Sequence, residues 1–396
     1  MQIVMGNPYF SLCKSKIKPY KYLDKNISCD ILIVGGGIDG AIANYYLSQK
    51  YDTALVDKSL FGKNCTSCAT ALLEYQLDDF ASELNGELNE QEICKIYSFG
   101  LDALKKLDSL VSKLGNSCLY SKRPSLLYST RLIDTAKIKK EYDFRISNGF
   151  SAEYIDKASN TFPFKLTSGL YCSDGGAELN PYLFTKLMLD NSHNQNKIFQ
   201  NTEIVCVEHK DTLVAHTSYG QKITCKNIIY ATGFNWQSFT KKDLCKRYIS
   251  YTITTQKISN LAWRDSALVQ DCLDPYHYLR ILPDNKLIFG GEDTLYYDKF
   301  DVKKAEQKYQ KLENTLRKML PDYDKQIKVD CKFCGLFGST KNNLGLIGKA
   351  QENEYYLLSS GANGIVNAIG GIEIIEDDLL GKAHSLASVF SPKRLD

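Results

Sequence analysis

The sequence lacks any run near the roughly 18 consecutive apolar residues that a membrane-spanning helix needs, so no such span is expected. It has nine prolines, no long Pro/Gly/Ser linker and no internal repeat, which excludes low-complexity and solenoid architectures. Only five histidines occur, none in a spacing such as His-Glu-x-x-His, so no metal centre is expected. Neither charge dominates: 49 Lys+Arg against 46 Asp+Glu leaves +3, too little for the basic face of a nucleic-acid binder. Met1 to Tyr20 lacks the uninterrupted apolar core of a signal peptide. Thirteen cysteines, an odd number, cannot all pair within one chain. The expectation is a cytoplasmic protein with free thiols.

What is present is ordinary globular material: 396 residues, 43% hydrophobic and 24% charged, enough for two or three domains of roughly 100–200 residues each. Asp30-Ile-Leu-Ile-Val34 is a continuous β-branched run that suits a strand buried on both faces. A helix from Ala41 to Leu47 and a strand from Thr53 to Asp57 complete a βαβ opening. Helices are expected over 81–114, 136–149, 181–190, 303–319 and 365–380. Strands are expected at 126–128, 202–207, 213–217, 223–230, 248–255, 287–289 and 355–358.

Between the first strand and helix stands Gly35-x-Gly37-x-x-Gly40. Gly35 permits the tight turn, Gly37 lets a pyrophosphate approach the backbone, and Gly40 lets helix and strand pack closely. The helix start offers free N–H groups and a positive partial charge to a phosphate. Asp57 ends the second strand, where a carboxylate accepts hydrogen bonds from an adenosine ribose. Ile38 and Lys58 adjoin these positions. Asp39 is out of character beside a phosphate, and its place in the first helical turn directs it toward backbone N–H groups instead.

The βαβ unit alone does not choose between FAD and NAD. Four segments, taken in order, resemble the D-amino-acid oxidase, glycine oxidase and sarcosine oxidase superfamily of FAD-dependent oxidoreductases: Asp30 to Gly40, Asn64-Cys-Thr-Ser-Cys-Ala-Thr-Ala-Leu-Leu73, Tyr230-Ala-Thr-Gly233, and Gly335 to Thr340 with Gly348 and Gly361-Ala-Asn-Gly-Ile365. The resemblance runs from about residue 29 to 381. It implies that Thr66, Ser67, Thr70 and Ala71 contact the pyrophosphate and ribityl chain, that Ala231, Thr232 and Gly233 return to the cofactor, and that Ile204 flanks the adenine. It implies too that Gly335, Gly361, Asn363, Gly364 and Ile365 close over the flavin, where a helix start would stabilise charge on the reduced ring. The implied fold is α/β: a Rossmann-like FAD-binding domain (27–80, 165–240 and 335–396) with a mostly antiparallel α+β substrate domain (81–164 and 241–334) after a lead-in, 1–26.

The resemblance implies oxidation of a small amine or amino acid by hydride transfer from Cα to flavin N5, with an electron acceptor that the sequence does not identify. No catalytic side chain is assigned, because the flavin carries the redox step. In Asp274 to Arg280, similar to the strand that reaches over the flavin, Arg280 is the expected substrate-carboxylate partner through its bidentate fork. Tyr278, Tyr251 and His277 are expected in the same pocket. The chain departs from the family pattern at Phe337-Gly338, where relatives carry Arg-Pro, and at Asn342 to Gly345, where they carry Asp-Gly-x-Pro. Cys334 stands one place from the position matched to a flavin-linking cysteine, so FAD is expected to be non-covalent. The pairs Cys65/Cys68 and Cys331/Cys334 read as structural thiols rather than zinc or redox pairs. Three alternatives stay open: alcohol oxidation of the glycerol-3-phosphate-dehydrogenase kind, which a basic phosphate pocket near Arg280 would favour; action on a tRNA aminomethyl group; and non-catalytic FAD binding.

Overall fold

The computed structural model describes residues 4–84, 87–236, 239–297, 299–340, 342–359, 361 and 363–395. Among these residues the strands form two sheets, one of eight and one of ten. The eight-stranded sheet is built on a parallel core. The strand Ile27–Val34 lies between Lys222–Tyr230 and Thr53–Val56, with Ile198–Phe199 at one edge and Glu354–Leu358 beyond Lys222–Tyr230. The apolar run is continuous because both faces are covered. Ile31 and Ile33 enter one hydrophobic cluster, with the helix Ile38–Leu47, while Leu32 between them enters the other.

The ten-stranded sheet is mostly antiparallel; its path includes Val329–Ser339, Lys246–Thr255, Leu287–Leu295, His277–Ile281, Leu268–Asp271, Ser121–Ser129, Ser168–Glu178 and Leu72–Glu74. Strand membership, the lead-in and one helix differ from the expected boundaries. Ser168–Glu178, expected with the dinucleotide segment 165–240, belongs to this sheet, as does Leu72–Glu74 of segment 27–80, and the strand Val329–Ser339 runs across the expected boundary at 334/335. Part of the expected lead-in is a strand, because Val4–Gly6 pairs antiparallel with Phe333–Gly335. The single helix expected over 81–114 is two, Ala81–Leu84 and Glu90–Leu114. A new start is imposed at Asn89, whose side chain accepts from the Glu92 amide while Glu92 accepts from the Asn89 amide.

The long helix Glu90–Leu114 supports the C-terminal one. Its buried stripe, Ile93, Ile96, Tyr97, Gly100, Ala103, Leu104 and Leu107, has helical spacing. It packs against the helix Gly364–Leu379, where a Cβ on Gly370 would come within 2.4 Å of the Phe99 ring. Lys106 pairs with Glu373 across the two. This contact and the burial of Ile365, Ile369 and Ile372 fix the direction in which the C-terminal helix presents its first turn.

Candidate active site

A continuous cleft runs between the two sheets, and its walls can be followed contact by contact. At one end Asp57 accepts from the Gly36 amide at 2.6 Å and from the Ser59 amide at 2.7 Å and hydroxyl at 2.8 Å. The Thr202 amide, two residues before Ile204, donates to the Asp57 carbonyl at 2.7 Å. The glycine loop is closely packed at two positions: a Cβ on Gly40 would stand 1.7 Å from the Gly35 carbonyl oxygen, and one on Gly36 1.8 Å from the Phe61 ring. Gly35 itself has φ +117°, in the region L side chains avoid.

Beside this loop the Thr66 hydroxyl accepts from the Ile38 amide at 3.0 Å, at the opening of the helix Ile38–Leu47. The cleft continues past Cys68 to Gly335, where an added Cβ would lie 2.7 Å from that of Cys68. The Gly361 amide donates to the Gly338 carbonyl at 2.9 Å. Asn363 accepts from the Glu74 amide at 3.2 Å and donates to the Gln76 carbonyl at 2.5 Å, tying the start of the helix Gly364–Leu379 to the ten-stranded sheet. The far end is made by Ser250, Thr252, Gln270, Tyr276 and Tyr278. The Tyr278 hydroxyl lies 2.9 Å from Ser250 Oγ and 3.4 Å from Thr252 Oγ1.

All the residues expected at the cofactor except Gly40 and Ser67 line this cleft. Gly40 lies beneath the loop as the helix–strand contact, and Ser67 is turned inward, donating to the Asn64 carbonyl at 2.8 Å. Asp39 does not bond to its own helix start. Its carboxylate accepts from the Ser359 hydroxyl at 2.7 Å, and burial pushes its pKa up to about 6 against that hydrogen bond.

Of the four residues expected on the substrate side, one is in the cleft wall. Tyr278 lines the cleft, but Tyr251, His277 and Arg280 do not. Strand alternation explains the first two. Ser250 and Thr252 face the cleft, so Tyr251 between them points the other way, to Thr294 at 3.1 Å. His277 faces away from Tyr278's side and is held by Asp271 at 2.8 Å and Glu292 at 3.3 Å. Arg280 has Tyr278's parity but stands one pleat further along, about 7 Å. There its guanidinium is buried, donating to Glu178 at 2.7 Å and to the Leu179 carbonyl at 2.9 Å, above the Phe10 ring.

Sequence reasoning missed Glu74, Gln270, Ser250, Thr252 and Tyr276. Tyr276 was within reach, being two residues from Tyr278 on the same stretch of chain; the others meet only through sheet pairing. The Cys331/Cys334 pair cannot chelate as one unit, because three-residue spacing on a strand puts the two thiols on opposite faces, in different clusters.

The walls suit a dinucleotide. Gly35, Gly36 and Gly40 leave no room for Cβ atoms, two helices open onto the cleft with first-turn amides that lack intrahelical partners, and the Thr232 hydroxyl in the wall is buried without a partner among the described residues.

A family model described as FAD dependent oxidoreductase matches residues 30–377. Gamma-glutamylputrescine oxidoreductase of Escherichia coli (strain K12) is 23% identical over 405 residues, 95% of this chain and 89% of that protein. Among solved structures, glycine oxidase from Geobacillus kaustophilus superposes with a TM-score of 0.76 at 15% identity, covering 93% of this chain and 99% of the other. Dithionite-reduced L-alpha-glycerophosphate oxidase from Mycoplasma pneumoniae, with FAD bound, gives 0.69 at 17% identity, covering 88% and 95%.

Proposed function

The chain belongs to the FAD-dependent oxidoreductase family, and from that premise we propose that it oxidises a small amine or amino acid by hydride transfer from Cα. The observation that carries this reading is the continuity of the cleft, from the glycine loop past the start of the helix Gly364–Leu379 to a polar, tyrosine-lined end. Bound there, FAD would supply the two-electron acceptor for the hydride of the amine-bearing carbon, and the substrate imine would add water to give a carbonyl compound and the freed amine.

The chain's own residues hold and orient. The loop 35–40 and the opening of the helix Ile38–Leu47 receive the pyrophosphate. Asp57 keeps lone pairs for the ribose, since a carboxylate accepts about four hydrogen bonds and three are used here. The first-turn amides of the helix Gly364–Leu379 stabilise negative charge on the reduced ring. Tyr276 and Tyr278 close the far end against water. FAD is held non-covalently in this reading: Gly335 has no side chain, and burial pushes the neighbouring Cys68 thiol well above its ordinary pKa, away from the nucleophilic thiolate.

Alcohol oxidation finds less support, because the arginine that would have marked a phosphate pocket is committed to Glu178. The test is anaerobic addition of amines, amino acids and glycerol 3-phosphate to the holoenzyme. Bleaching of the oxidised-flavin band by an amine or amino acid is expected, and bleaching by glycerol 3-phosphate alone would overturn the reading.

A further inference from the structure

Asp39 is a carboxylate at the place where an anion is to be received. It stands in the first turn of the helix Ile38–Leu47 and lines the cleft beside Gly35, Gly36 and Gly37. Two amides of this helix start are already spent: Ile38 donates to the Thr66 hydroxyl at 3.0 Å, and Ala41 to the Gly37 carbonyl at 3.0 Å. The amides left for a phosphate include that of Asp39 itself. An anion drawn to this turn therefore arrives beside the Asp39 side chain.

The surroundings do little to keep that side chain charged. Oδ2 accepts from the Ser359 hydroxyl at 2.7 Å, just past the strand Glu354–Leu358, with the Ser359 amide at 3.4 Å. Among the described residues no donor reaches Oδ1, although Asp39 is part of the cleft wall. The groups that face it are Ser359 and, from the helix Cys65–Cys68, the Cys65 thiol, which burial keeps protonated. No cation acts on it among the described residues. Asp57 is the contrast in the same cradle, with three hydrogen bonds from Gly36 and Ser59 and Lys58 beside it. Burial pushes Asp39 up to about 6 before any ligand arrives. A pyrophosphate nearby, in a cleft emptied of water, disfavours the ionised form further.

Resting on the placement of the pyrophosphate at the loop 35–40, and not on the identity of the substrate, we propose that FAD binds together with a proton. Asp39 takes it from solvent as the cofactor enters, holds it on Oδ1 as a neutral acid that donates to the dinucleotide, and returns it when FAD leaves. Ser359 goes on donating to Oδ2. A carboxylic acid carries one O–H, so protonation turns a repelling neighbour of the phosphate into a donor. Retention of the cofactor then depends on pH, because a less acidic solvent gives up the required proton less readily. An Asp39 that stayed ionised, serving only as a strut between the helix and Ser359, would give no such dependence.

The test is the FAD dissociation constant of the full chain, read from the recovery of free-flavin fluorescence when the holoenzyme is diluted between pH 6 and pH 8. The constant should climb by close to ~10-fold per pH unit, the slope of a single linked proton. Asp39→Asn, neutral at every pH, should show no climb and at pH 8 should hold FAD at least ~10-fold more tightly than wild type. Ser359→Ala keeps the carboxyl but removes its donor, so its climb should begin at higher pH. Calorimetry of FAD rebinding at pH 7, in two buffers of different ionisation enthalpy, should show about one proton taken up by wild type and none by Asp39→Asn. A pH-independent constant and no proton uptake in wild type, or the same climb in Asp39→Asn, would overturn the proposal and leave amine oxidation as read. Should Asp39→Asn fail to fold, the wild-type calorimetry and the Ser359→Ala profile still decide. Protein that takes up FAD at no pH would instead sink the placement of the dinucleotide, and this inference with it.

Discussion

The Arg280–Glu178 pair is structural, and its two halves should fail unequally. Glu178 is buried between two guanidiniums, Arg280 at 2.7 Å and Arg123 at 2.8 Å. Glu178→Gln would leave two facing cations with no anion, one of them fully enclosed. Losing one partner of a buried pair costs about 3–5 kcal/mol. Arg280→Met is milder. Glu178 keeps Arg123, the methionine stem fills the space above Phe10, and a buried Nε that lacks a partner disappears. What remains is the abandoned Leu179 carbonyl, at about 1–3 kcal/mol. Urea unfolding of the holoenzyme, followed by flavin fluorescence, should therefore rank wild type above Arg280→Met above Glu178→Gln. The Arg280→Met enzyme should keep its KM for the reducing amine. The reasoning is refuted if Arg280→Met unfolds like wild type but can no longer be saturated by substrate, because the guanidinium would then be reaching into the cleft.

Two further outcomes rest on the same kind of geometry. Gly40→Ala should give protein that purifies without FAD and does not turn yellow on reconstitution, since its methyl would have to displace the Gly35 carbonyl now 1.7 Å away; full FAD content would contradict the packing. Asp39→Asn should raise apoprotein stability by up to roughly 3 kcal/mol above pH 6 and by nothing below pH 4, measured by urea midpoints. The sign comes from a folded pKa of about 6 lying above the unfolded value: burial makes the charged form unfavourable, so the penalty is absent while the group is protonated in both states and grows as pH rises.

The dinucleotide half was legible because its information is local. The strand Ile27–Val34, the glycine loop and Asp57 sit within one βαβ unit, so a single stretch of chain states the whole constraint. The substrate half was not, for two physical reasons. Ser168–Glu178 carries three glycines, which weaken a strand pattern, yet Gly175 and Gly176 fit this strand because Ser125 and Leu73 approach too closely for any Cβ. Side-chain parity then decided the rest. Tyr251 and His277 are one residue out of step with the cleft face, and Arg280 is in step but covered by Glu178, a partner contributed by another strand. Glu74, Ser250 and Gln270 show no common pattern in sequence, being brought to the cleft only by the ten-stranded sheet.

Because the cleft is walled by residue 35 on one side and by residue 365 on another, vectorial synthesis imposes an order on maturation. At roughly 5–20 residues per second a ribosome needs on the order of 20–60 seconds to travel from the glycine turn to the closing helix. Throughout that interval the nascent polypeptide can grip at most the nucleotide portion of its prosthetic group. Enclosure of the isoalloxazine by both walls therefore has to wait until the residues around 365 have emerged.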